Sequence, residues 1–444
     1  MSKEGNEQSD AVPERARASV WRILTCVPVL TLVLLVSIDA LLRLCNPVDA
    51  LGFNSVDLWH LPTRINLCRR TDPDAALLGS SLLMVLGQGE KGKHYTSGNF
   101  PPYLQDCLSK ATGQNTTCVN LCSGLQMPAE GYMIAESIAD QPAHPSVIIC
   151  GLALRDFIDG DFTREWTLTS FQSVAPFVPI NREVLSLMGN DNEAAERSND
   201  FFREMNNPAV QELIVCHYWF LYRDRTGLKS VLSAFAKDWL EYLPLDQSFV
   251  RLGPDHQFRP QRFGYLWETW VPRRAEKFTE AIYQTHPEDV YRFEFARQAS
   301  IYARGSEMTR MVQIRYMDGL IALCRARGIK LIIINMPLGP AVSAIVPAGL
   351  NGAYREYMRA VAEQYGLVYL DLFADPDFKA DAFKDGVHLN FKGCHLLVDR
   401  LVSNLKDKHP DVLAALCRHA ASRQRDPELK ARQEGPYTVE HLYD

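Results

Sequence analysis

The sequence predicts an α/β fold in which helices cover both faces of a parallel β-sheet. From Asp74 onward, short apolar runs alternate with amphipathic stretches, as expected for strands and helices that follow one another in such a fold. The clearest run, Lys330–Asn335, contains consecutive Leu and Ile residues and is typical of a strand buried on both faces. A composition of 47% hydrophobic and 23% charged residues predicts a packed core rather than a disordered chain.

Each predicted strand is followed along the chain by a predicted helix. We expect strands at 75–78, 118–122, 147–150, 330–335 and 367–372. We expect helices at about 102–111, 128–140, 307–327, 353–364 and 391–405. Pro128 favours the start of the second helix, and Gly366 is a natural C-cap for the fourth.

The alternation stops between about 156 and 306, which predicts a helical insertion. This segment carries five of the seven tryptophans of the chain: Trp166, Trp219, Trp239, Trp267 and Trp270. Two interpretations stay open, an extra helical subdomain and a lid or acceptor-binding cap over the active site.

An apolar segment near the N-terminus predicts a membrane anchor. Residues 23–38 carry no charge, and a helix from Val20 to Leu44 is long enough to cross a hydrocarbon core of about 30 Å. Basic residues precede it at Lys3, Arg15, Arg17 and Arg22, which predicts a cytoplasmic N-terminus and an exported remainder. A cleaved signal peptide is the alternative.

These features divide the chain into five predicted parts. A cytoplasmic tail (1–19) precedes the single transmembrane anchor (20–44), whose partner is the lipid bilayer, and a linker (45–73) follows. The catalytic domain is expected at 74–418, on the extracytoplasmic side, and a polar tail that frays at 419–444.

Charge and cysteine content exclude some classes of function. With a net charge of −6 and no long run of Lys and Arg, nucleic acid is not an expected partner. The eleven cysteines contain no C-x-x-C pair, so no structural zinc site is predicted. In an exported protein Cys107, Cys118, Cys122 and Cys150 are disulfide candidates, and free buried cysteines are the other interpretation.

Polar residues follow several of the predicted strands, at the sheet edge where a parallel fold collects functional groups. Ser80 and Ser81 follow the first strand, while Asp385 and His388 lie beyond the last. A serine nucleophile needs a base, and an imidazole base needs a carboxylate that fixes its tautomer. Ser81, His388 and Asp385 supply such a set, and the chemistry needs no metal or other cofactor.

Two short blocks resemble those of the SGNH/GDSL hydrolase family. Leu77-Leu78-Gly79-Ser80-Ser81-Leu82 is similar to the first block, usually G-D-S-L, and Asp385-Gly386-Val387-His388 is similar to the closing D-x-x-H block. The resemblance covers about 74–155 and 330–405 and implies a flavodoxin-like three-layer fold, with Ser81 as nucleophile. Ser80 replaces the usual Asp, which resembles exported acyl-transfer relatives such as the D-alanyl-transfer protein of teichoic-acid modification.

The resemblance also implies groups that stabilise the oxyanion or bind substrate. The backbone N–H of Ser81 and that of Gly124 are the expected donors, with Asn120 in the same second block. Ala153 stands where the family has an Asn donor, and Arg155 either replaces that donor or forms an ion pair with Asp156 or Asp159.

Other polar residues rank lower. Asp371 is the second candidate for the orienting carboxylate, after Asp385, and His94 and His395 are interpreted as ordinary polar or packed histidines.

The expected function is therefore that of a serine esterase or O-acyltransferase acting on an acylated envelope glycan or lipid. Other envelope membrane proteins are candidate partners. The alternative is a non-catalytic scaffold that binds glycan or partner membrane proteins through the tryptophan-rich insertion.

Overall fold

The structure, a computed structural model, describes residues 27–45, 61–87, 101–139, 144–159, 171–189, 208–220, 297–373 and 375–425. Every structural statement below refers to these residues.

The described core is a five-stranded, all-parallel sheet. Its strands are β1 (Ala75–Gly79), β2 (Cys118–Asn120), β3 (Val147–Leu152), β4 (Lys330–Asn335) and β5 (Val368–Asp371). The order across the sheet is β2-β1-β3-β4-β5, so the chain starts in the interior and later strands extend both edges. The predicted α/β class and parallel sheet are confirmed.

Fourteen helices of the described residues carry labels, in chain order. They are α1 (Val27–Cys45), α2 (Leu61–Thr71), α3 (Ser81–Met84), α4 (Pro102–Thr112), α5 (Pro128–Ala139), α6 (Arg155–Ile158), α7 (Phe171–Val174), α8 (Arg182–Gly189), α9 (Pro208–Tyr218), α10 (Glu307–Ala326), α11 (Pro340–Ser343), α12 (Ala348–Tyr365), α13 (Phe391–Lys408) and α14 (Pro410–Arg425). Residues 297–304 are also helical.

The helices pack in two groups around the buried sheet. On one side α5 contacts α2, α7 and α10, and α10 also contacts α6 and α8. A second group joins α4, α13 and α14. The amphipathic pattern of α13 explains its placement, because it buries Leu397, Leu401 and Leu405 at helical spacing.

Two helix ends carry local caps, and the one at Gly366 is the C-cap that the sequence predicts. The side chain of Ser306 accepts a hydrogen bond from the Thr309 N–H at the start of α10. Gly366 follows α12 with a φ of 65°, the left-handed conformation expected of a glycine C-cap.

The described part of the predicted insertion is mainly helical and includes α7, α8, α9 and the stretch 297–304. Trp219 lies directly after α9 and is partly exposed. The other four tryptophans of the insertion lie outside the described residues, so neither interpretation of the insertion is tested.

Helix α1 occupies most of the segment predicted as a membrane anchor. Residues 20–26, the start of that segment, lie outside the described residues. Among the helices that the structure describes, none combines the length and apolar character needed to cross a bilayer.

The structure differs from the predicted division of the chain in two stretches. Residues 61–71 of the predicted linker form α2, which buries Leu61, Arg64 and Ile65 against the domain. The predicted fraying tail begins too early, because α14 continues to Arg425 and buries Ala420 and Arg423.

The described cysteines are free, and most of them are buried. Cys107, Cys118, Cys122 and Cys150 are among them, so the interpretation as free cysteines is the correct one and the four disulfide candidates are not paired.

Candidate active site

Ser81 lies at the carboxyl end of β1, in a tight turn into α3. Gly79 has a φ of 145°, and a side chain there would meet the Gly151 carbonyl oxygen of β3 at 2.5 Å. Only glycine fits such a position, so the turn needs Gly79 both for its dihedral angle and for the close approach of β3. Ser80 is extended at the helix N-cap, and Ser81 follows as the first residue of α3.

His388 and Asp385 lie in the loop between β5 and α13. An isolated antiparallel bridge pairs Phe383 with Leu389 across this loop. The loop is also anchored to the chain after β4, because the Gly339 N–H donates to the Gly386 carbonyl oxygen at 3.0 Å. These contacts hold the loop over the carboxyl edge of the sheet.

The three predicted residues form one hydrogen-bonded chain. His388 Nε2 lies 2.8 Å from Ser81 Oγ, and His388 Nδ1 lies 2.7 Å from Asp385 Oδ2. A carboxylate only accepts, so the Nδ1 proton donates to Asp385 and Nε2 is left to accept from the Ser81 hydroxyl. The structure therefore brings together a hydroxyl and an imidazole that are 307 residues apart in the sequence.

The environment keeps Asp385 ionised. Burial by itself would raise the pKa of this carboxyl, but the hydrogen bonds from His388 and from the Val387 and His388 backbone N–H groups outweigh it. Together they lower the pKa of Asp385 to about 2. A fixed carboxylate, a neutral imidazole and a hydroxyl in this order can activate the hydroxyl oxygen as a nucleophile.

The loop after β2 lies beside the Ser81 turn. The Ser123 N–H donates to the Gly79 carbonyl oxygen at 3.1 Å, which places Gly124 next to this turn in the hydrogen-bonded network. Among the described residues, no group accepts a hydrogen bond from the Ser81 or the Gly124 backbone N–H.

The hydrogen bonds of the Asn120 side chain differ from those expected of a group that binds the oxyanion or the substrate. Its Nδ2 donates to the Met84 carbonyl oxygen at 3.1 Å, and its Oδ1 accepts from the Cys122 N–H at 3.1 Å. The amide thus links the end of β2 to the residues after Ser81.

Arg155 adopts the ion-paired alternative. Its Nε lies 3.5 Å from Asp156 Oδ1, and both side chains are buried. Asp156 also accepts from the Ala153 N–H at 2.8 Å. Burial raises the pKa of Asp156 to about 6, against the opposing effect of Arg155.

The lower-ranked candidates lie apart from this hydrogen-bonded chain. Asp371 accepts from Asn335 Nδ2 at 2.8 Å and from Arg355 Nε at 2.6 Å. His395 stacks on Tyr103 with ring centroids 3.7 Å apart, as expected of a packed histidine. His94 lies outside the described residues.

Sequence reasoning missed two buried polar residues of the site. Arg64 of α2 donates to the Asn120 and Cys122 carbonyl oxygens at 2.6 and 2.8 Å. Gln126 bonds to Gly79, Leu121 and Ser123. The one available signal was the position of Arg64 between Leu61 and Ile65, on a face that the apolar pattern predicts to be buried.

The described residues contain no group of three or more His, Cys, Asp or Glu that could hold a metal ion. No protein-family model matches the chain, and no curated protein is significantly similar to it.

Proposed function

We propose that this protein is a serine esterase or O-acyltransferase of the SGNH type. The observation that carries the proposal is the Ser81–His388–Asp385 chain of short hydrogen bonds at the carboxyl edge of a parallel sheet. The order β2-β1-β3-β4-β5 is that of flavodoxin-like sheets, which supports a flavodoxin-like three-layer fold.

The proposed reaction has two steps. Ser81 Oγ attacks an ester carbonyl while its proton passes to His388 Nε2, and the backbone N–H groups of Ser81 and Gly124 stabilise the oxyanion. His388 then returns the proton to the leaving alcohol, which leaves an acyl-enzyme at Ser81. In the second step His388 deprotonates water or an acceptor alcohol, which attacks the acyl-enzyme and regenerates Ser81.

The substrate class follows from the resemblance described above. We propose an acylated envelope glycan or lipid, with residues 20–44 as membrane anchor and the catalytic domain on the extracytoplasmic side. The uncharged stretch at 23–38 and the basic residues before it support this location.

Hydrolysis of an activated acetyl ester tests the chemistry. Ser81→Ala and His388→Ala are each expected to lower kcat/KM by about a thousandfold or more, because each removes a member of one catalytic unit. His144→Gln is the matched control, since His144 lies before β3 at the opposite edge of the sheet. Turnover that survives in either active-site variant would contradict the assignment.

A non-catalytic scaffold is the second candidate. The observation that favours it concerns the two predicted side-chain groups, because the Asn120 amide binds backbone and Arg155 Nε lies against Asp156. A fluorophosphonate probe separates the two candidates. The enzyme labels at Ser81, whereas a scaffold gives no label that depends on this residue.

A further inference from the structure

Gln126 joins the two backbone segments that hold the proposed oxyanion donors. Its side chain is buried, and its Oε1 accepts from the Gly79 N–H in the turn that leads to Ser81. Its Nε2 donates to the Leu121 carbonyl oxygen at 3.0 Å and to Ser123 Oγ at 3.1 Å. Gly79 lies two residues before Ser81, and Ser123 immediately precedes Gly124.

The link between these segments runs in both directions. Gly79 donates its N–H to Gln126 and accepts at its carbonyl oxygen from the Ser123 N–H, so both polar groups of this residue bind the loop after β2. A glutamine suits the position because one amide supplies an acceptor for the turn and donors for the loop.

The loop needs such bonds to keep its shape. Leu125, between Gly124 and Gln126, has a φ of 61°. This left-handed conformation costs a residue with a side chain about 1–2 kcal/mol, so the surrounding contacts have to maintain it.

We propose that Gln126 is a positioning residue for the oxyanion hole. It fixes the spacing between the Ser81 and Gly124 backbone N–H groups, and it does so through Gly79 and Ser123 without contact with the substrate. The inference rests on the proposed function. Preorganised donors act mainly on the transition state, so loss of their alignment lowers kcat and leaves KM nearly unchanged.

Gln126→Met tests the role, because methionine has a similar volume and forms none of these hydrogen bonds. We expect kcat for an activated acetyl ester to fall about 10-fold to 100-fold, with KM within about twofold of the wild-type value. Inhibition by a trifluoromethyl ketone, whose hemiketal oxyanion occupies the same donors, should weaken by a similar factor.

Gln105→Met is the matched control for loss of a glutamine hydrogen bond. Gln105 Oε1 accepts from the Cys118 N–H at 2.8 Å, at the opposite end of β2 from Gly124. This variant should lose some thermal stability and keep both kcat and ketone inhibition. Gln126→Glu, which retains an acceptor for Gly79, replaces the methionine variant if that variant does not fold, and should lower kcat with the same KM.

The outcomes separate this inference from the proposed function. A wild-type protein that neither hydrolyses the ester nor labels at Ser81 would overturn both. An active wild type, combined with a folded Gln126 variant that keeps its kcat or changes only KM, would overturn the positioning role alone.

Discussion

Asp385 orients His388 through three hydrogen bonds that differ in origin. Its Oδ1 accepts from the Val387 and His388 backbone N–H groups at 2.9 and 2.7 Å, and its Oδ2 accepts from the imidazole at 2.7 Å. The backbone bonds hold the carboxylate in place, and the third bond decides which imidazole nitrogen carries the proton.

The Asp385→Asn variant separates two roles of Asp385, which are to orient the His388 ring and to decide which ring nitrogen carries the proton. The asparagine oxygen can still accept from the backbone, but its NH₂ group then faces Nδ1 and moves the imidazole proton to Nε2, next to Ser81. Because Nε2 can no longer accept the Ser81 proton, we expect kcat to fall about 10³-fold to 10⁴-fold. Steady-state ester hydrolysis measures the loss. Asp371→Asn is the control, and an equal loss in that variant would argue against a specific role for Asp385.

At the residue scale, the sequence predicts the Ser81–His388–Asp385 hydrogen-bonded chain better than the groups that surround it. Ser81 and His388 were recognisable because they occupy short motifs beyond apolar strands. The Asn120 amide binds Met84 and Cys122, and no pattern in the sequence reveals which backbone groups a side chain will reach. Gln126 was missed for the same reason.

At the scale of elements, the turn between β1 and α3 shows how packing limits the choice of residue. Gly79 is constrained by its φ of 145° and by the Gly151 carbonyl oxygen. Gly113, the C-cap of α4, has a φ of 68° but no atom within 4 Å of an added side chain. A comparison of the two glycines therefore separates the cost of a steric clash from the cost of an unfavourable backbone conformation.

Gly79→Ala should destabilise the fold much more than Gly113→Ala. We expect a loss of unfolding free energy above about 3 kcal/mol for the first, because a backbone clash adds to conformational strain. For the second we expect about 1 kcal/mol. Urea denaturation followed by circular dichroism measures both, and similar midpoints for the two variants would contradict this explanation.

Strand positions were predictable because buried parallel strands are continuous apolar runs. β4 has the predicted bounds, and β5 begins and ends within one residue of its predicted range. The sequence did not predict the packing of α2 and α14, because their polar composition conceals a buried face. Arg64 and Arg423 can be buried because each donates hydrogen bonds to backbone carbonyl oxygens or carboxylates, which offset the cost of burying the charge. These partners are visible only in the folded structure.

At the scale of the whole molecule, a buried cluster of charged side chains binds α14 to the residues just before β1. His419 Nδ1 and Arg423 bind Asp74 at 2.9 Å each, and His419 Nε2 lies 3.4 Å from Asp72. Burial of His419 would lower its pKa, but the hydrogen bonds to Asp72 and Asp74 outweigh it and raise the pKa to about 9.

This cluster predicts a loss of stability at alkaline pH. The pKa of His419 is higher in the folded state than the value of about 6.5 in the unfolded chain, so its contribution is complete below pH 6.5. The contribution falls as the pH rises and is lost through about pH 9. The urea midpoint of the wild type should therefore decrease between pH 6.5 and 9 more steeply than that of His419→Gln. If the urea midpoints of the two proteins changed with pH in the same way, His419 would be excluded as the source of the alkaline loss of stability.

The 307 residues that separate Ser81 from His388 also bear on how the protein is made. During synthesis Ser81 leaves the ribosome long before His388 is added, so under the proposed function a partly made chain carries an inert alcohol. The proposed reactivity begins only when the loop after β5 closes over the sheet edge, which couples it to synthesis of all five described strands.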